Sequence, residues 1–261
     1  MRDKEYAAEK PAETVRLAIL GTSYVVGLGV PVDGTFEALA EERMNREKTP
    51  ETGVRYEILN MGVGGYRMVH RLQAMEEKAF RLDPDAILFT VHETDPANLR
   101  DLSDAARKKV TIHYPDLAEM VRQAGVDEST PEAVAERRLK PIGYEITSWT
   151  YREVVRKCRG RGIAPFWLFL PTTEEHFPAD VYRKLRGFAE EAGFEILDLA
   201  GVYEGRDVRS LRLGDWDHHL NAEGHRLVAD RLYEALVENG TVFAGGGATS
   251  GALPGAREPE E

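Results

Sequence analysis

Five short runs, at residues 15–21, 56–61, 86–91, 164–170 and 195–199, dominate what this chain can become. Each is apolar almost throughout instead of alternating, the pattern of a strand covered on both faces. Helical patterns lie between them. Thr35 can cap a helix presenting Phe36, Leu39 and Ala40. Asn221 can cap another presenting Val228, Leu232, Ala235 and Leu236. Strands alternating with helices predict a parallel α/β sheet in three layers.

The connection between the third and fourth strands, 96–163, is long. Its later part, 145–159, reads as the crossover helix, and its earlier part carries Leu117, Met120, Val121 and Ala124 at helical spacing. A helical insertion over about 96–140 at the carboxyl edge of a sheet predicts a cap or a subunit contact, and so a possible homo-oligomer through this segment. From Gly240 onward Gly, Ala, Ser, Pro and Glu dominate and periodicity stops, which predicts a disordered tail over 240–261. Residues 1–14 form a lead-in, leaving 15–239 as the folded body.

Composition excludes several classes of function. The chain has 261 residues, with 45 Asp plus Glu against 34 Lys plus Arg and a net charge of −11. Nucleic-acid binding relies on clustered cations that replace phosphate counterions, so no nucleic-acid partner is expected. The same balance disfavours anionic membrane surfaces. No stretch approaches the ~20 apolar residues of a membrane span. The single cysteine, Cys158, forbids an internal disulfide and reads as buried helix filler.

Ligands of open α/β sheets bind beyond the carboxyl ends of the strands, so the residues just after each strand carry the functional reading. Gly21-Thr22-Ser23-Tyr24 follows the first strand and Asn60-Met61-Gly62-Val63-Gly64-Gly65-Tyr66 the second. His92-Glu93-Thr94-Asp95 follows the third, and Asp215-Trp216-Asp217-His218-His219-Leu220-Asn221 precedes the last helix. A hydroxyl, a glycine turn and an Asp/His pair thus share one edge, the inventory of nucleophilic acyl transfer. A lone serine in such a turn is commonplace, and a turn glycine need only tolerate positive φ.

In order and context these segments resemble the nucleophile, glycine and closing acid–histidine blocks of the SGNH (GDSL-type) hydrolase superfamily of esterases and lipases, over about residues 15–237. The resemblance implies a flavodoxin-like α/β/α sandwich on a five-stranded parallel sheet. It implies Ser23 as nucleophile, His219 as general base and Asp217 as the carboxylate behind it. The N–H groups of Ser23 and Gly65 would be oxyanion donors. Because the first and last blocks must meet at one edge, it also implies a single domain.

The sequence departs from the family pattern twice. Thr22 stands where the family has Asp. In the third block the family has Gly-x-Asn-Asp, and aligning Asp95 places Thr94 at the position of the Asn donor, with a single rotatable hydroxyl in place of an amide. The acid is open to two readings. Asp217 with His219 keeps the Leu-Asn and Gly-His continuation in register, whereas Asp215 with His218 keeps a three-residue spacing found in many relatives.

His92 and Glu93 are candidates for substrate binding, or Glu93 for a structural pair with an arginine. His218, His219 and His225 lack a second carboxylate at ligand spacing, so no metal is expected. Gly62-Val63-Gly64-Gly65 follows the wrong strand for a dinucleotide fingerprint, and the apolar Tyr24-Val25-Val26 suits no flavin phosphate; no cofactor is expected. The leading expectation is a serine esterase acting on a small-molecule or glycan ester through an acyl-enzyme. The alternatives are an O-acyltransferase using the same residues and a non-catalytic binding protein on the same fold. The opening residues resemble the lead-in that follows a membrane-anchored region in similar bacterial proteins. Membrane contact is therefore expected only with an upstream anchor, and the compartment stays open.

Overall fold

All five apolar runs are strands, each displaced from its expected bounds by no more than a residue, in a computed structural model that describes residues 3–240. In chain order the elements are β1 (Thr14–Leu20), α1 (Ser23–Val26), α2 (Phe36–Glu47), α3 (Thr49–Thr52), β2 (Arg55–Asn60), α4 (Met68–Glu77) and β3 (Ala86–Val91). Then come α5 (Arg100–Arg107), α6 (Pro115–Gln123), α7 (Glu132–Leu139), α8 (Gly143–Arg159), β4 (Ala164–Phe169), α9 (Ala179–Ala192) and β5 (Glu195–Asp198). A short ribbon, β6 (Arg212–Gly214) and β7 (Asp217–Leu220), leads into α10 (Ala222–Asn239). The tail expected over 240–261 lies, apart from Gly240, outside the described residues.

The sheet runs β2-β1-β3-β4-β5 with every neighbouring pair parallel. Successive side chains point to opposite faces, so each strand feeds two cores. Ala18, Leu20, Phe89, Trp167 and Phe169 pack with α4, α8 and α9 on one face, joined by buried residues of α5–α7. Leu17, Ile19, Ile58, Leu88 and Phe166 pack with α2 and α10 on the other. The result is the three-layer α/β/α sandwich expected from the alternation of patterns.

Two caps behave differently. Asn221 accepts from the N–H groups of Glu223 and Gly224 and starts α10 as expected. Thr35 does not cap α2; its hydroxyl donates to the Val32 carbonyl, and the Phe36 N–H instead meets His225 Nδ1 at 3.1 Å. His225 also stacks on Phe36, so this histidine ties α2 to α10.

The strand order decides where function can sit. Since β1 lies between β2 and β3, the loop after β1 emerges flanked by the loops after β2 and β3. That is also where consecutive connections turn to opposite sides of the sheet, the point at which such folds open a crevice.

Candidate active site

Ser23 opens the one-turn helix α1 directly beyond β1. The turn is tight. A β-carbon on Gly21 would stand 2.1 Å from Val25 Cγ2, so only glycine lets the chain fold back here. Thr22 accepts from the Tyr24 N–H at 3.3 Å, and its carbonyl accepts from Val25 and Val26.

Ser23 Oγ lies 2.7 Å from His219 Nε2, and His219 Nδ1 lies 2.5 Å from Asp217 Oδ1. Asp217 Oδ1 also accepts the His219 backbone N–H at 3.0 Å. These bonds from His219, first the backbone one, hold the Asp217 carboxyl below its ordinary value, so it is ionised and orients a proton on Nδ1. Nε2 is thereby free to take the serine proton.

The ribbon β6–β7 explains the pairing. Residues two apart on a strand share a face and adjacent ones oppose, so Asp217 and His219 point together at Ser23 while His218 points away. His218 Nδ1 meets Glu174 Oε1 at 2.8 Å, and its Nε2 lies 3.3 Å from Arg212. The alternative pair Asp215–His218 is therefore not formed. The ribbon is held from below: Tyr24 and Thr173 both donate their hydroxyls to the His218 carbonyl, at 2.8 and 2.6 Å, and the Arg212 guanidinium donates to the Thr173 carbonyl. The Tyr24 ring also lies 5.3 Å from the His219 ring.

The glycine turn passes beside the serine, since a β-carbon on Gly64 would stand 4.0 Å from Ser23 Cβ. Gly65 takes φ +79°, a conformation that favours glycine. Asn60 holds the start of this loop, accepting from the Gly62 N–H at 2.9 Å and donating to the Val25 carbonyl at 2.7 Å. It also donates to the buried Glu37 carboxyl, which burial pushes up to about 7. On the other flank Arg71 pairs with Asp95 at 2.6 Å, and Asp95 accepts the His92 N–H, which clamps the turn carrying Thr94. The N–H groups of Ser23 and Gly65 and the exposed Thr94 hydroxyl have no hydrogen-bond partner among the described residues.

His92 is not a pocket residue. It is 3% exposed and lies under the nucleophile turn, with Nδ1 2.8 Å from the Leu170 carbonyl and Nε2 3.0 Å from Thr22 Oγ1. The carbonyl requires the proton on Nδ1, so Nε2 accepts from the Thr22 hydroxyl. Burial holds the ring below its ordinary pKa and keeps it neutral. Glu93 takes the Thr172 N–H and hydroxyl, not an arginine, and lines a cavity of about 580 Å³ between the loops after β4 and β5. Tyr24, Thr173, Arg212 and Asn60 were not among the expected site residues; only their places beside the serine and at strand ends hint at them.

Among the described residues no cluster of three or more His, Cys, Asp or Glu is arranged to hold a metal, and no helix is long and apolar enough to cross a membrane. Burial pushes the Cys158 thiol up to about 12, which makes it a poor nucleophile.

Neither family models nor curated proteins match this sequence. Solved structures do. TesA shares 14% identity at a TM-score of 0.56, the likeness covering 86% of this chain and 99% of that one. LAE5, an alpha/beta hydrolase enzyme from the metagenome of Lake Arreo, shares 18% at 0.56, over 87% and 96%. Axe2, an acetylxylan esterase from Geobacillus stearothermophilus, shares 16% at 0.56, over 88% and 95%. At these identities the likeness is one of architecture: with the parallel order β2-β1-β3-β4-β5, the chain shares the three-layer α/β/α fold of these enzymes.

Proposed function

We propose that the protein is a serine ester hydrolase that works through an acyl-enzyme. The observation carrying this reading is the continuous relay from Asp217 through His219 to Ser23 Oγ, with both links at hydrogen-bond distance. His219 Nε2 takes the hydroxyl proton as Ser23 Oγ attacks the ester carbonyl carbon. The carbonyl oxygen becomes an oxyanion, received by the N–H groups of Ser23 and Gly65 and by the Thr94 hydroxyl. Donors of this kind are each worth about 3 kcal/mol of barrier. The intermediate collapses, the C–O bond to the alcohol breaks, and His219 returns the proton to the departing oxygen. Water then repeats the sequence on the acyl-serine and frees the acid.

Fold neighbours that act on esters support the same reading: Axe2 and AlAXEase are acetylxylan esterases. They favour a short acyl group on a small or carbohydrate alcohol. If a second alcohol takes the place of water, the same residues transfer the acyl group instead, and acetate release with and without a sugar acceptor separates the two outcomes. A binding-only protein leaves the Ser23–His219–Asp217 geometry without a purpose. The test is hydrolysis of para-nitrophenyl acetate by wild type and by His219→Ala. Turnover that is lost in the variant is expected, and turnover that a folded His219→Ala variant retains overturns the reading.

A further inference from the structure

We propose that the ester handled at Ser23 carries an anionic group, received by a basic groove beside the glycine and Thr94 loops. This rests on the serine-hydrolase reading above. The groove, about 520 Å³, is lined by Arg67, Arg100, Arg137 and Lys140, with Glu136 as its one carboxylate. The net charge of the whole chain is −11, so four cations around one cavity run against its general balance. Arg100 pairs with Glu132 at 3.0 Å, but Arg137 and Lys140 have no ion-pair partner among the described residues. Cations left unpaired around a concavity focus a positive potential into it and raise the local concentration of anions.

The groove borders the loops beside Ser23. Arg67 Nη1 donates to the Gly65 carbonyl at 3.0 Å, and Nε donates to Asn98 Oδ1 at 2.6 Å. Gly65 belongs to the turn that passes beside Ser23, and Asn98 lies in the turn begun by Thr94, whose carbonyl accepts from Ala97. The inner wall of the groove is thus built from the two loops that flank the nucleophile. The opposite flank has the other balance: Glu93, Glu174, Glu175 and Glu204, against Arg183 and Arg206, line the cavity between the loops after β4 and β5. A substrate with one anionic end is oriented by this asymmetry, its charge toward the unpaired Arg137 and Lys140, cations that suit a carboxylate, sulfonate or phosphate.

The anion can belong to the acyl group or to the alcohol, and two ester pairs separate these sources. Para-nitrophenyl hemisuccinate is compared with para-nitrophenyl acetate, and para-acetoxybenzenesulfonate with phenyl acetate. The inference expects at least one anionic ester to exceed its neutral partner in kcat/KM by roughly 10-fold at low salt. That advantage should shrink in about 0.5 M NaCl, where charges are screened within a few ångströms, and vanish in the double variant Arg137→Gln/Lys140→Gln, with folding checked by thermal unfolding. Turnover of the neutral esters with no anion preference, or a preference the double variant keeps, overturns this inference alone. Absence of turnover with all four esters overturns the hydrolase reading and the inference with it.

Discussion

Thr22 Oγ1 and His92 Nε2 meet at 3.0 Å beneath the turn that carries the proposed nucleophile. These two residues occupy positions where the resemblance predicted other residue types, Asp in the first block and Gly in the third. The two departures contact one another: a threonine hydroxyl donates to an imidazole whose far nitrogen is anchored on the Leu170 carbonyl. The pair links the ends of β1, β3 and β4 and sets the N-terminus of α1, because Thr22 also accepts the Tyr24 N–H.

Thr22→Val removes that donor and the cap together. The cap is worth about 1 kcal/mol, and His92 Nε2 is left buried without a partner. The expected outcome is a lower Tm and a kcat reduced roughly 10- to 100-fold with little change in KM, as for a misplaced catalytic group. Thr22→Ser keeps the hydroxyl and should retain most of both. Steady-state kinetics of the two variants side by side checks this, and equal losses in both speak against the role given to the hydroxyl.

Asp217→Asn should leave the fold intact and lower kcat by roughly 10⁴-fold, because His219 then loses the group that fixes its tautomer. His218→Ala breaks only the contacts with Glu174 and Arg212 and should lower kcat less than about 10-fold. Comparable losses in both variants contradict the assignment of His219.

Thr94 offers a free hydroxyl where an amide was expected. Thr94→Val should lower kcat roughly 10- to 100-fold by removing an oxyanion donor, while Thr94→Asn should match or exceed wild type. Unchanged kcat in the valine variant excludes Thr94 from the oxyanion site.

Glu37, behind Asn60, gives stability a specific pH dependence. Burial pushes its carboxyl up to about 7, and its Oε2 has no hydrogen-bond partner among the described residues. The folded chain therefore holds a proton that the unfolded chain releases above its ordinary value of about 4.5. This contribution is present in acid and is lost as pH rises through the folded value. Thermal unfolding between about pH 5 and about pH 8 should show a decline in wild type that is shallower in Glu37→Gln. Parallel curves count against it.

The strands and their parallel arrangement were legible because burial on both faces leaves a near-continuous apolar run. That Ser23 and the Asp/His segment meet at one edge was legible in outline, but choosing between Asp217–His219 and Asp215–His218 required the ribbon β6–β7, whose three and four residues are too short to show a period. His92 was misread for a related reason: position after a strand places a residue at the sheet edge without saying whether its side chain turns outward or under the neighbouring loop. Thr35 shows the same limit, since a good capping residue was displaced by a distant histidine, His225, that only tertiary packing brings to Phe36. The support from Tyr24, Thr173 and Arg212 joins residues 39 to 194 positions apart and leaves no local pattern.

The central claim, that Ser23 is a nucleophile activated by His219, is tested most directly by a fluorophosphonate probe with peptide mapping. The account predicts one phosphonyl adduct on the peptide containing Ser23 in wild type and none in Ser23→Ala. A folded wild type that stays unlabelled, or equal labelling of Ser23→Ala, contradicts it.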